Sequence, residues 1–170
     1  MNYRKANIND IDDIMVIIED GRRFLKPQGG DQWQNDYPNK NDILLDISDG
    51  VYYVILNDVD DIVAGCALTY HEDEYDTLKE GHWLSDLEYM VMHRCAVKEK
   101  YRGLGYGNAL FELFELEARK QGYYSLRIDT HENNKVMRHL LKKNNFIECG
   151  KAILKPNKDR LVFEKVLENL

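Results

Sequence analysis

The chain has no surplus of positive charge: 23 Lys and Arg stand against 30 Asp and Glu, a net charge of −7. Sequence-independent binding to nucleic acid depends on basic surface that neutralises phosphates, so a nucleic-acid partner is excluded and a cationic or neutral one fits better. A long apolar run is also lacking. In the first twenty residues Arg4 and Lys5 are followed by Asp10, Asp12, Asp13 and Glu19, so neither a signal peptide nor a membrane span is expected, and a cytoplasmic setting is. Cysteine is scarce and odd in number. Cys66, Cys95 and Cys149 fall inside predicted strands without metal-like spacing, which excludes a disulfide framework and a cysteine metal site and reads as reduced, buried thiols. Repeats and low-complexity stretches are missing too. At 170 residues the expectation is one domain spanning 1–170.

What the chain does have is a glycine-rich turn between an apolar strand and an amphipathic helix, Lys100-Tyr101-Arg102-Gly103-Leu104-Gly105-Tyr106-Gly107-Asn108. Glycines carry no Cβ, so the backbone can turn tightly there and aim consecutive N–H groups at one ligand. The following helix adds its unpaired first-turn donors and the positive end of its dipole, which makes a phosphate or pyrophosphate the natural guest. A P-loop would need Gly-Lys followed by Ser or Thr, and Gly107 is followed by Asn108-Ala109. A dinucleotide fingerprint needs different glycine spacing and an acidic residue on the next strand, for which Asp129 is a poor substitute. What remains is R-x-x-G-x-G, spelled by Arg102, Gly105 and Gly107.

The rest of the chain reads as alternating strands and helices. Tyr3 to Ala6 is a short strand, and Asn9 or Asp10 caps a helix with Ile11, Ile14, Met15 and Ile18 at helical spacing. A loop at 26–38, bounded by breakers, carries Trp33 and Tyr37. A helix over 41–47 precedes strands at 51–56 and 62–71 joined by a turn, and an acidic connection follows at 72–86. From Leu87 to Val97 strict alternation puts Tyr89, Val91, His93, Cys95 and Val97 on one strand face. In the helix after the glycines, Leu110, Leu113, Phe114 and Ala118 form an apolar stripe, with Glu115 and Arg119 as an outer i,i+4 pair. A strand at 125–130, a helix over 134–144 and a closing hairpin, 146–154 and 160–166 around a turn at 155–159, complete the pattern.

The glycine turn, together with the strand Ser125 to Thr130, the Asn134-led helix and the aromatic strand from Phe146, resembles the GNAT superfamily of acyl-CoA-dependent N-acetyltransferases. The resemblance covers at least residues 88–150. Asn145 stands where the family has a glycine before the aromatic, and asparagine is the next-best residue for a left-handed helix end. The fold implied is mixed α/β: a twisted, mostly antiparallel sheet of six or seven strands with a splayed parallel pair and helices on both faces. The activity implied is transfer of an acetyl group from acetyl-CoA to a primary amine of a small molecule, with no metal. Relatives of this type often pair, so a homodimer is a further expectation.

Carried over residue by residue, the resemblance places the pantetheine arm along Cys95, Ala96 and Val97. It places the pyrophosphate on the N–H groups of Arg102, Gly103, Leu104, Gly105, Tyr106 and Gly107, and matches Asn134 to the family's pantetheine-binding asparagine. A capping role for Asn134 is an equal alternative. Trp33, Tyr37 and the acidic run would border the acceptor, where aromatics and carboxylates suit a cationic amine. An alkyl ammonium is deprotonated to only about one part in a few thousand at pH 7, so a base is useful. His93 is the first candidate, with a core histidine as its alternative; Glu88 is the second. Many relatives carry a tyrosine acid in the final helix, and that position here is Leu141. This departure keeps open a second reading, a CoA or acyl-CoA sensor without turnover.

Overall fold

The computed structural model describes residues 2–154 and 158–168. Among them, four α-helices and eight strands form a mixed α/β fold with one mostly antiparallel sheet. The strands are β1 (Asn2–Lys5), β2 (Tyr52–Leu56), β3 (Ile62–Tyr70), β4 (Glu80–Gly81), β5 (Tyr89–Val97), β6 (Ser125–Thr130), β7 (Ile147–Leu154) and β8 (Lys158–Val166). The helices are α1 (Ile11–Leu25), α2 (Lys40–Ser48), α3 (Tyr106–Lys120) and α4 (Lys135–Lys143). The sheet order is β1-β2-β3-β5-β6-β8-β7-β4, and β5–β6 is its parallel pair. Contacts group the chain into two compact units: Met1–Leu68 with His93–Leu113, and Thr69–Met92 with Phe114–Leu170.

In the first unit β1, β2 and β3 run antiparallel, with Asn2 opposite Leu56 and Tyr52 opposite Ala67. Asn7, rather than Asn9 or Asp10, caps the helical turn that leads into α1: its side chain accepts from Asn9 N, while Asp10 returns the bond to the Asn7 N–H. Asn39 and Asp42 repeat this reciprocal box at α2. The α1 residues Ile11, Ile14, Ile17 and Ile18 are buried against Ile43 of α2 and Tyr52, Val54 and Ala67 of the strands. Each such isoleucine contributes roughly 1.5–3 kcal/mol of burial, which outweighs the modest helix propensity of β-branched residues.

In the second unit Tyr89, Met90 and Val91 pair in parallel with Ser125, Leu126 and Arg127. The antiparallel order β6-β8-β7-β4 continues from there. β4 lies in the acidic connection that sequence pattern reads as a loop, and it raises the strand number to eight. Two glycines explain why it escapes a pattern based on side chains. A Cβ on Gly81 would lie 1.9 Å from the Cys149 carbonyl oxygen, and one on Gly150 would lie 1.9 Å from that of Glu80. Here backbone touches backbone, so no apolar alternation marks the strand.

Most remaining elements fall where expected, and Asn145 does adopt the left-handed conformation, at φ 64°. The last hairpin differs in that β8 begins at Lys158; Lys155, Pro156 and Asn157 of its expected turn lie outside the described residues. Glu115 and Arg119 do not pair. Glu115 takes Lys165 of β8, and Arg119 donates to the Glu168 carbonyl at 2.8 Å. Tertiary partners, one on β8 and one just beyond it, outcompete an exposed helix pair worth only about 0.2–0.5 kcal/mol.

Candidate active site

The glycine turn is built as an open backbone cradle. Gly103 and Gly105 have φ of 79° and 94°, conformations that side-chain-bearing residues rarely adopt, and a Cβ on either would meet nothing within 4 Å. These glycines therefore serve backbone direction and not internal packing. Tyr106 and Gly107 open α3, so their N–H groups precede the first intrahelical bond, in which Ala109 N donates to Gly105 O at 3.1 Å. Donors, dipole and open space coincide at residues 103–107, which fits a pyrophosphate.

The segment leading into the cradle is fastened to α1. Glu99 N donates to the buried Asp20 carboxylate at 2.7 Å, and Arg102 Nη2 donates to the Asp20 carbonyl at 2.6 Å. The Arg102 guanidinium also stacks 4.7 Å from the centre of the Phe24 ring. Arg102 thus spends its side chain on holding the turn in place, and what the turn offers an anion is its backbone. Tyr101 completes the anchoring: its hydroxyl donates to Asp61 at 2.8 Å and accepts from Asn57 Nδ2 at 3.3 Å.

β5 departs from the expected alternation. Tyr89 to Met92 are buried, but Arg94 has φ 51°, inside the left-handed region, so the period-two face assignment cannot continue from Val91 through Val97. Such a conformation costs a side-chain-bearing residue about 1–2 kcal/mol and persists only where the surroundings hold it. Those surroundings are polar. Arg94 Nη1 donates to both oxygens of Asp46 in α2, at 2.9 and 2.8 Å, and its guanidinium lies 5.5 Å from the centre of the Tyr37 ring. Burial pushes the Asp46 carboxyl up, and Arg94 and, more weakly, His93 oppose that shift. Burial raises the Tyr52 phenol far above its ordinary range, with Cys66, Asp46 and Cys95 adding to the effect.

The first unit therefore contains His93, Cys95, Ala96, Val97, the cradle and Tyr37, and within it Arg94 meets Asp46 and Tyr37, a grouping the sequence did not foresee. His93 and Cys95 are half-buried, and Ala96 packs against the cluster formed by α1 and α2. Cys66 is buried as expected, whereas Cys95 is only partly so. Trp33 is placed in the core: its indole lies directly over Gly21 of α1, and its carbonyl accepts from Arg22 Nε at 3.0 Å. Tyr37 is the aromatic that stays open, at 42% exposure. Asp20 and Asp46 carried one legible signal, an acidic residue on the apolar stripe of an amphipathic helix.

Glu88 and Asn134 lie in the second unit. Glu88 is exposed and immediately precedes β5. Asn134 caps α4, its side-chain oxygen accepting from Met137 N at 3.1 Å. Leu141 is fully buried in α4 and has no proton to give. The acidic connection is ordered around an aromatic group: Trp83 Nε1 donates to the Tyr75 carbonyl at 2.9 Å, and Arg127 lies about 4 Å from the ring centres of Trp83 and Tyr89, at 4.1 and 4.0 Å.

The fold that carries this turn recurs in known proteins. The chain is similar to an acetyltransferase of the GNAT family from Streptococcus agalactiae, with 36% identity and a TM-score of 0.86 over 99% of this chain and 96% of that one. A GNAT-family acetyltransferase from Listeria monocytogenes shares the fold at 20% identity, with a TM-score of 0.74 over 98% and 94% of the two chains. So does the PaiA N-acetyltransferase of Thermoplasma acidophilum, solved in complex with coenzyme A, at 17% identity and a TM-score of 0.71 over 97% and 98%. No curated protein matches the sequence. Residues 18–146 match the acetyltransferase (GNAT) family, a span that holds the turn, the strand before it and the helix after it. The chain belongs to the GNAT family of acetyltransferases, enzymes that use acetyl-CoA.

Proposed function

We propose that the protein transfers the acetyl group of acetyl-CoA to a primary amine of a small molecule by direct attack. The observation that carries this reading is the cradle at 103–107, where two positive-φ glycines have open space at their Cβ positions next to the first-turn N–H groups of α3. The pyrophosphate rests on those N–H groups, and the pantetheine arm runs along the backbone of Cys95, Ala96 and Val97. The neutral amine attacks the thioester carbonyl, the C–S bond breaks, and CoA leaves as a thiolate. His93 takes the amine proton directly or through water. Leu141 offers no acid at the position where many relatives carry a tyrosine, and a thiolate pKa near 8.5 makes unassisted departure tolerable. Tyr37 is the aromatic wall for the acceptor, and Trp33 holds the loop that presents it. The family match over 18–146 includes residues of both compact units, which supports reading 1–170 as one acetyltransferase domain.

Calorimetric titration with acetyl-CoA, CoA and ATP tests the cradle, with micromolar binding of the first two and none of ATP expected. Release of free thiol with a panel of spermidine, tyramine, lysine, kanamycin and an unblocked dipeptide then tests turnover. Binding without thiol release would favour the sensor reading that Leu141 supports. In an active enzyme, His93→Ala should lower kcat and leave acetyl-CoA affinity unchanged; equal turnover removes His93 from the reaction.

A further inference from the structure

We infer that the buried Asp46–Arg94 pair is a positioning device that holds the kink of β5, and with it His93 and Cys95, in the geometry acetyl transfer needs. The inference rests on the function proposed above. Arg94 is the residue of β5 whose backbone leaves the strand conformation, at φ 51°, and it lies between His93 and Cys95. Nothing in its own sequence favours that conformation, because arginine has neither the missing Cβ of glycine nor the short amide of asparagine. The side chain supplies the reason. One terminal nitrogen bridges both oxygens of Asp46, and the Tyr37 ring lies against the guanidinium. Side-chain exposure is 19% for Arg94 and 10% for Asp46, so water competes little for either group.

Two further groups mark the region as built for more than packing. Arg94 Nε and the Tyr52 hydroxyl are both buried and, among the described residues, have no hydrogen-bond partner. The Tyr52 hydroxyl passes over Gly65 of β3, where an added Cβ would lie 3.0 Å from its oxygen. A core optimised for stability alone would fill this space with apolar side chains, since a well-packed apolar pair often equals or exceeds a buried ion pair. An ion pair instead fixes direction and distance at a backbone position that must hold an unfavourable conformation. The pair works through the β5 backbone that carries His93 and Cys95, so Asp46 and Arg94 are positioning residues.

The decisive comparison is the apolar double variant Asp46→Leu/Arg94→Met, which removes the pair without leaving a lone buried charge. It should fold and bind acetyl-CoA more weakly, because the pantetheine arm runs along 95–97, while kcat at saturating acetyl-CoA with the best amine of the panel falls at least tenfold. Backbone hydrogen exchange over 92–97 should accelerate, with exchange over 125–130 unchanged. Parental kcat together with parental exchange over 92–97 would overturn the inference, because a merely structural pair is replaceable in this way. If the double variant does not fold, Asp46→Asn, measured well below its melting midpoint, answers the same question. Faster exchange confined to 92–97 supports the clamp, and unchanged or uniformly raised exchange refutes it. Failure of the parent to bind acetyl-CoA would instead remove the proposed function, and the exchange measurement would still decide the clamp.

Discussion

Asp20 gives the sharpest test of how the cradle is held. Replacing it by leucine raises side-chain volume and helix propensity, and deletes the carboxylate that accepts the Glu99 N–H at 2.7 Å. The Arg102 bond survives, since its acceptor is the Asp20 backbone carbonyl. An orphaned, partly buried N–H costs about 1–2 kcal/mol, in the lower part of the usual range. The ion pair with Arg23 adds little, because Arg23 is 66% exposed and such pairs contribute about 0–1 kcal/mol. If the freed N–H loosens 99–105, the cost falls on ligand binding, and at 1.4 kcal/mol per decade the CoA dissociation constant should rise roughly five- to thirtyfold. Calorimetry at fixed temperature reads this directly, with Asp12→Leu on the exposed side of α1 as control. Affinity within twofold of the parent, in a variant whose melting point has fallen, would show that the fastening stabilises the fold without organising the cradle.

Three further perturbations follow from the packing. Gly21→Ala gains about 0.5–1 kcal/mol of helix propensity but puts a Cβ 2.4 Å from Trp33 Cζ3; overpacking of about 1–3 kcal/mol should win, lowering Tm by a few degrees, and a raised Tm would refute the placement of the indole. Glu164, fully buried, accepts from Leu84 N at 2.5 Å, Ser85 Oγ at 2.7 Å and Ser125 Oγ at 2.6 Å, and lies 3.5 Å from Arg127. Glu164→Leu strands Arg127, so denaturant unfolding should show a loss of about 3–5 kcal/mol; a loss below about 1 kcal/mol would refute the buried network. Hydrogen bonds from Arg4 and the Asn7 N–H hold the Asp10 carboxyl below its ordinary 3.8. A lowered folded pKa gives stability that is full above the unfolded value and lost as pH falls through the folded one. Asp10→Asn should therefore destabilise at pH 6 and converge on the parent as the pH falls below the lowered folded pKa, as thermal melts down through the acid range would show; an equal deficit at both ends would contradict the assignment.

The cradle was legible because glycine spacing is a backbone property written into sequence: Gly103 and Gly105 determine where the chain can turn, whatever packs around them, while Gly107 lies in α3. The same holds for the helix stripes, for the left-handed Asn145, and for the long strands whose β-branched and aromatic residues mark them. β4 was not legible, because it is made by the close approach of Gly81 to Gly150, about seventy positions away, and carries no side-chain pattern. The kink at Arg94 was invisible for a related reason. An arginine in a strand pattern reads as one more alternating residue, and only the carboxylate of Asp46, delivered by α2, holds its backbone in the left-handed region. Trp33 shows the same division: sequence can place an aromatic in a loop, but whether its ring meets solvent or the face of Gly21 depends on where α1 lies. Local conformation and its exceptions at glycine were determined by the sequence, while the partners of buried charges and the direction of side chains past the kink were decided by tertiary structure, because those energies belong to pairs of residues far apart in the chain.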